Sequence, residues 1–340
     1  LLFAKGSTME DTPKKTEETT DIQKDYFPIP ISLLQIDKIV NFDLYLRTNA
    51  NKQPLLYRSK SLPISENDIA RLKEKSIEIL YVHSENKREY KRYLETNLRD
   101  ILSDKNVPVQ KRTEVLYTVT TQAVKEMLDD PRSGELLPRS RNLVENTLDF
   151  IFHEPTAFQC MLKVTNFDYY THTHSVNVGI FSVFLAKEIN FSEDELLRFG
   201  MASLLHDIGK CRVDPKIVNF PGKLSEEQFE QMKKHPEYGY EILTKEQGLK
   251  DELQLDVVLH HHEKLTGNGY PHKLKGDEIS IYARVSAIAD IFDALTTRRS
   301  YKNAFSSFDA LKLMKEKMSD ELDQQIFKKF ILLMSEKKQT

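Results

Sequence analysis

Ala202-Ser-Leu-Leu-His-Asp-Ile-Gly-Lys210 brings an apolar helical run to an adjacent histidine and aspartate. Asp and Lys are rarely buried without a partner. A carboxylate seated at the end of such a run needs a compensating charge, and a divalent cation would supply it. Lys210, four residues past His206, is expected on the same helix face.

Four further elements repeat the pattern. His174-Ser-Val-Asn-Val-Gly179 sits on a helix whose apolar face is His174, Val178, Phe181 and Leu185. His235-Pro-Glu-Tyr-Gly239 follows the first stretch. His260-His-His-Glu263 then precedes Gly267-Asn-Gly-Tyr-Pro271. Successive helical residues point roughly 100° apart, so these three histidines cannot all face one ion. Ala287-Ile-Ala-Asp-Ile-Phe-Asp-Ala294 sets Asp290 and Asp293 in an otherwise apolar helix. Of ten histidines, only His83 precedes residue 150. Any one element reads equally well as core or surface polarity, but five in one stretch do not. The donors are imidazole and carboxylate without thiolate. That set suits Fe, Mn, Zn or Ni rather than a structural zinc cage.

The rest of the chain is consistent with a two-domain globular protein. It has 340 residues, 39% hydrophobic and 30% charged, with a net charge of −3. Near-neutral charge argues against binding DNA or RNA duplex or an anionic membrane. No apolar run approaches the ~20 residues of a membrane helix, so membrane insertion is not expected. The two cysteines, Cys160 and Cys211, form no disulfide framework and fit a cytoplasmic location. Leu1 to Thr8 reads as an expression scar before Met9, and residues 9–27 as a disordered tail closed by Pro28 and Pro30.

The predicted fold class is mainly α: an all-helical C-terminal domain after a small α+β module. Residues 31–97 form that module, with strands at 42–46, 55–57 and 78–82 and a helix over 66–77 capped from Ser65. It reads as a regulatory or interaction module with an unidentified signal or protein partner. Residues 98–164 read as a helical linker and the start of the catalytic domain, and 165–340 as the domain proper. Leu116, Val119, Ala123 and Met127 form an amphipathic stripe, read first as core, with a homodimer contact as the second reading. Further helices are predicted at about 136–153, 169–190 and 193–207.

In this order the motifs resemble the HD-GYP domain, a bacterial subgroup of the HD phosphohydrolases. The resemblance rests on His174-x-x-Asn177, His206-Asp207 with Lys210, His235, His261-His262-Glu263, Gly269-Tyr270-Pro271 and Asp290-x-x-Asp293-Ala-Leu295. It covers about residues 150–310. It implies an all-helical domain that hydrolyses cyclic di-GMP to linear pGpG, GMP or both. It also implies two divalent ions, with Fe or Mn expected. His174, His206, Asp207 and Asp290 would hold one, and His235, His261 and His262 the other, with Asp207 bridging. His260 would be the histidine left out. Lys210 and Asp207 would be catalytic. Tyr270 would border the substrate, Arg299 and Lys302 would bind phosphate, and Asp168 would lie near a guanine. Some members carry a glutamate four residues before the first ligand and bind three metals. Tyr170 stands there, so two are expected. Ser300 replaces the family's proline between Arg299 and Lys302. The alternatives are a cyclic-dinucleotide sensor or scaffold with little turnover, a hydrolase of cyclic GMP-AMP or another nucleotide, and, remotely, a purely structural helical protein.

Overall fold

A computed structural model describes residues 25–47, 54–165, 170–297 and 304–335. The chain divides into two compact units, Leu1–Ile101 and Leu102–Thr340. Among the described residues, no helix is long and apolar enough to cross a membrane.

The first unit carries a four-stranded antiparallel sheet. Its strands are β1 (Tyr26–Pro30), β2 (Leu44–Leu46), β3 (Leu55–Arg58) and β4 (Ile79–His83), in the order β1-β4-β2-β3. Strand β1 corrects the sequence reading, which placed these residues in a disordered tail. Pro28 and Pro30 pair opposite Tyr81 and Ile79 on β4. The strand is tolerated because β1 is an edge. Residues two apart share one phase, so both prolines place their missing N–H on the unpaired side. The helix Glu66–Glu74 starts at a capping box, in which Ser65 Oγ accepts from Asp68 N at 3.2 Å and Asp68 Oδ2 accepts from Ser65 N at 2.9 Å. The helix Lys87–Thr96 brings Tyr90 and Tyr93 edge-on to buried Phe42, at 5.6 and 5.7 Å between centroids.

The second unit is helical and is built around Thr171–Glu188. Every residue of that helix from His174 to Ala186 is buried. A helix apolar on all sides must be enclosed. Val109–Asp129, Glu193–Leu205, Ile281–Thr296 and Gln324–Ser335 pack on it. Phe181 meets Phe292 at 5.3 Å and Phe292 meets Phe330 at 5.0 Å, tying three of these helices together. The amphipathic stripe of Val109–Asp129 is buried in this core.

One local expectation fails. The helix Glu193–Leu205 closes at His206, and Ile208–Arg212 continues as a 3-10 turn. Lys210 therefore does not share a helix face with His206. The tighter turn aims it at Asp207 instead, with Nζ 2.6 Å from Oδ2. The turn lies hard against the helix His235–Glu241. A Cβ at Gly209 would come within 1.9 Å of the His235 carbonyl oxygen, so no side chain fits there.

Candidate metal centre

Five segments deliver the predicted ligands to one buried place. The first turn of Thr171–Glu188 brings His174, and the end of Glu193–Leu205 brings His206 and Asp207. The start of His235–Glu241 brings His235, the end of Glu252–His260 brings His261 and His262, and the middle of Ile281–Thr296 brings Asp290. Two donor groups result, each with its ligand atoms within 4.8 Å of one another: His174, His206 and Asp207, and Asp207, His235, His261 and His262. Asp207 belongs to both.

The carboxylate distances define the centre. Asp207 Oδ2 lies 3.4 Å from His206 Nε2 and 3.5 Å from His174 Nε2. Its Oδ1 lies 3.2 Å from His235 Nε2 and 4.0 Å from His261 Nε2. Asp290 also faces both groups, with Oδ1 3.0 Å from His174 Nε2 and Oδ2 3.4 Å from His262 Nδ1.

The hydrogen bonds fix the ring tautomers. His206 Nδ1–H donates to the Ser203 carbonyl at 2.7 Å, His235 Nδ1–H to Met232 at 2.8 Å and His261 Nδ1–H to Val258 at 3.0 Å. In the neutral rings each Nε2 therefore carries a lone pair turned toward Asp207. His235 Nε2 and His261 Nε2 stand 3.2 Å apart, two lone pairs facing one another. His206 Nε2 and Asp207 Oδ1 are buried without a hydrogen-bond partner. Such crowding of bare acceptors is costly alone and fits divalent cations.

Electrostatics keep the donors in their binding forms. Burial alone would raise the Asp207 carboxyl, but the Lys210 ammonium and the His206 ring hold it well below the usual carboxylate range. Burial also opposes ionisation of Asp290, and the His174 ring 3.0 Å away, with the nearby His262 ring, reverses it. Burial lowers His235, with Asp207 pulling the other way. Burial and the neighbouring His262 push His261 well down, and burial takes His262, most of whose ring is covered, to about 3. Near neutral pH His235, His261 and His262 are thus neutral, and Asp207 and Asp290 are charged.

A supporting layer was only partly visible in the sequence. Asp293 Oδ2 accepts from His174 Nδ1–H at 2.7 Å, and its Oδ1 accepts from Asn177 Nδ2 at 2.8 Å and Thr297 Oγ1 at 3.0 Å. Tyr117 OH donates to Asn177 Oδ1 at 3.0 Å. The spacing of Asp293 from Asp290, and of Asn177 from His174, hinted at this layer. Nothing marked Tyr117. His260 turns away, its Nδ1 2.7 Å from Asp256 Oδ1 and its Nε2 2.9 Å from His272 Nδ1. The Tyr270 ring lies 4.7 Å from His262 and forms a wall. Its loop is anchored by Glu263, whose carboxylate accepts from His272 N at 2.7 Å and Leu274 N at 3.1 Å. Asp168, Arg299 and Lys302 lie outside the described residues.

Residues 161–326 match the family model described as an HD domain. The His261-His262-Glu263 and Gly269-Tyr270-Pro271 segments border the same cluster. This stretch of the chain is an HD domain. The chain is 33% identical over 223 residues to a cyclic di-GMP phosphodiesterase of Pseudomonas aeruginosa, covering 65% of this chain and 53% of that one. It is 38% identical over 167 residues to a cyclic di-GMP phosphodiesterase of Thermotoga maritima, covering 47% and 45%. It is 37% identical over 158 residues to a 3'3'-cGAMP-specific phosphodiesterase of Vibrio cholerae, covering 46% and 34%. The chain thus spans about half or less of the length of these curated relatives. A solved HDG"Y"P protein of Bdellovibrio bacteriovorus shares the fold at a TM-score of 0.63 and 20% identity, over 91% of this chain and 99% of that one.

Proposed function

We propose that this chain is an HD-GYP phosphodiesterase that hydrolyses cyclic di-GMP to linear pGpG, GMP or both. The observation that carries the reading is Asp207, one buried carboxylate shared by two histidine groups with Lys210 on its edge. His174, His206, Asp207 and Asp290 would hold one divalent ion. His235, His261 and His262 would hold the second together with Asp207. Fe or Mn suits this set. When bound, the two cations supply Lewis acidity, which makes water a nucleophile near neutral pH and offsets charge on the phosphoryl oxygens.

The remaining roles belong to the chain itself. Asp293 holds the His174 ring in one tautomer, as hydrogen-bonded partners of metal-binding histidines do. Water adds to phosphorus as the bond to the ribose 3′-oxygen breaks, and that oxygen must gain a proton. Lys210 lies close enough to the shared carboxylate to donate that proton or to stabilise the oxygens' growing charge. Tyr270 covers one side of His262 and limits water there. Arg299 and Lys302 are proposed for the distal phosphate and Asp168 for a guanine, on sequence grounds alone.

The test is turnover of cyclic di-GMP with Mn²⁺ or with Fe²⁺ under anaerobic conditions, beside Asp207→Ala. Products appear only with the intact residue. Metal-loaded, folded protein that yields no product in either metal would sink the enzyme reading, and tight binding without turnover would favour a sensor. A second reading has its own support. Relatives named for 3'3'-cGAMP match at 33–37% identity, much as the cyclic di-GMP enzymes do. Competition between the two dinucleotides in one assay decides between them.

A further inference from the structure

The helix Thr171–Glu188 starts beside an aromatic pair that the metal cluster does not use. Tyr170 precedes its first turn and is 60% exposed, a large open ring on a domain whose other aromatics mostly pack inward. It stacks on His172 with centroids 5.4 Å apart and an interplanar angle of 15°. The backbone under the pair is held, because Thr173 Oγ1 accepts from Tyr170 N at 3.0 Å and donates to Tyr170 O at 2.9 Å.

The pair lines a cleft of about 250 Å³. Lys125, Lys210 and Asn219 form other parts of its wall. Lys210 connects this cleft to the centre: the residue lines the cleft, and its ammonium lies 2.6 Å from Asp207 Oδ2. Tyr170 is also four residues, about one helical turn, before the ligand His174. A nucleotide whose phosphate lies at Asp207 therefore carries its base within reach of the platform. The wall offers what a base needs: a flat π-surface, an amide and nearby cations for the sugar-phosphate.

We propose that Tyr170 and His172 form a stacking platform that seats one purine base of the dinucleotide in this cleft. The proposal rests on the phosphodiesterase reading for the identity of its ligand. In it, Tyr170 is a specificity residue. It discriminates a nucleotide diester from a diester without bases and leaves the metal chemistry to the cluster.

Two measurements on the full metal-loaded chain separate the proposals. The first follows the fluorescence of 2-aminopurine riboside 5′-monophosphate, which is quenched when its base stacks. Saturable quenching is expected with the unmodified chain and with Tyr170→Phe, and about tenfold weaker binding with Tyr170→Ala. The second compares cyclic di-GMP with bis(p-nitrophenyl) phosphate, a diester without bases. In Tyr170→Ala, kcat/KM should fall about tenfold further for the dinucleotide, mainly through KM, and Tyr170→Phe should restore it. Equal losses on both substrates, or quenching that ignores Tyr170, would overturn the platform. Quenching that depends on Tyr170 in a chain that hydrolyses neither diester would keep the platform and defeat the enzyme reading.

Discussion

Asp207 joins the two histidine groups, but Asp293 decides how one of them is presented. Its carboxylate fixes His174 from the far side while Asn177 and Thr297 occupy its other oxygen. Asp293→Ala frees the ring to rotate or change tautomer. Metal affinity should fall about 10–100-fold, read by competition against a chelator, and an unchanged affinity would remove Asp293 from the design. The histidines also set a pH dependence. His235, His261 and His262 are all held below the ordinary value of 6.5 in the folded, metal-free chain, His262 at about 3. The unfolded chain takes up protons at these positions first, so stability is present above 6.5 and is lost as pH falls toward the folded values. The urea midpoint of chelator-treated protein should drop between pH 7.5 and pH 5. His261→Leu should make that drop shallower, and an equal slope in the variant would refute the assignment.

The elements hold the centre by close approach rather than by a continuous scaffold. The 3-10 turn Ile208–Arg212 rests on the helix His235–Glu241, where a Cβ at Gly209 would meet the His235 carbonyl at 1.9 Å and the Gly239 nitrogen at 2.4 Å. Gly209→Ala must push the helix outward and carry His235 away from Asp207. The expected result is a loss of about 3 kcal/mol in chemical denaturation, with weakened metal binding in the same variant. Gly134→Ala, where an added Cβ meets nothing within 4 Å, is the control and should behave like the parent. Elements with local signals were legible in the sequence. Ser65 and its capping partner Asp68 announced the helix Glu66–Glu74, and Pro108 marked the break before Val109–Asp129. Strand β1 was not legible, because two prolines following a long polar run read as the end of a tail until a partner strand lies beside them.

For the molecule as a whole, the centre implies that metal and fold are linked. An ion that binds only the native chain stabilises it by about 2.7 kcal/mol at a free concentration 100 times its Kd. Adding Mn²⁺ to chelator-treated protein should therefore raise the melting temperature, and EDTA should reverse the gain. No shift in either direction would argue against a metal-holding cluster. The sequence by itself determined the helical class of the larger unit and the identity of the donors. Apolar periodicity and imidazole or carboxylate groups set against it are local properties of the chain. Only the tertiary structure decided how those donors are shared. His174 meets Asp293 across 119 residues, and Tyr117 reaches Asn177 across 60. It also moved Lys210 from a shared helix face onto Asp207 and joined the Tyr170 ring to the same cleft. No periodicity encodes such contacts, because they depend on how distant helices pack and on where each backbone ends its turn.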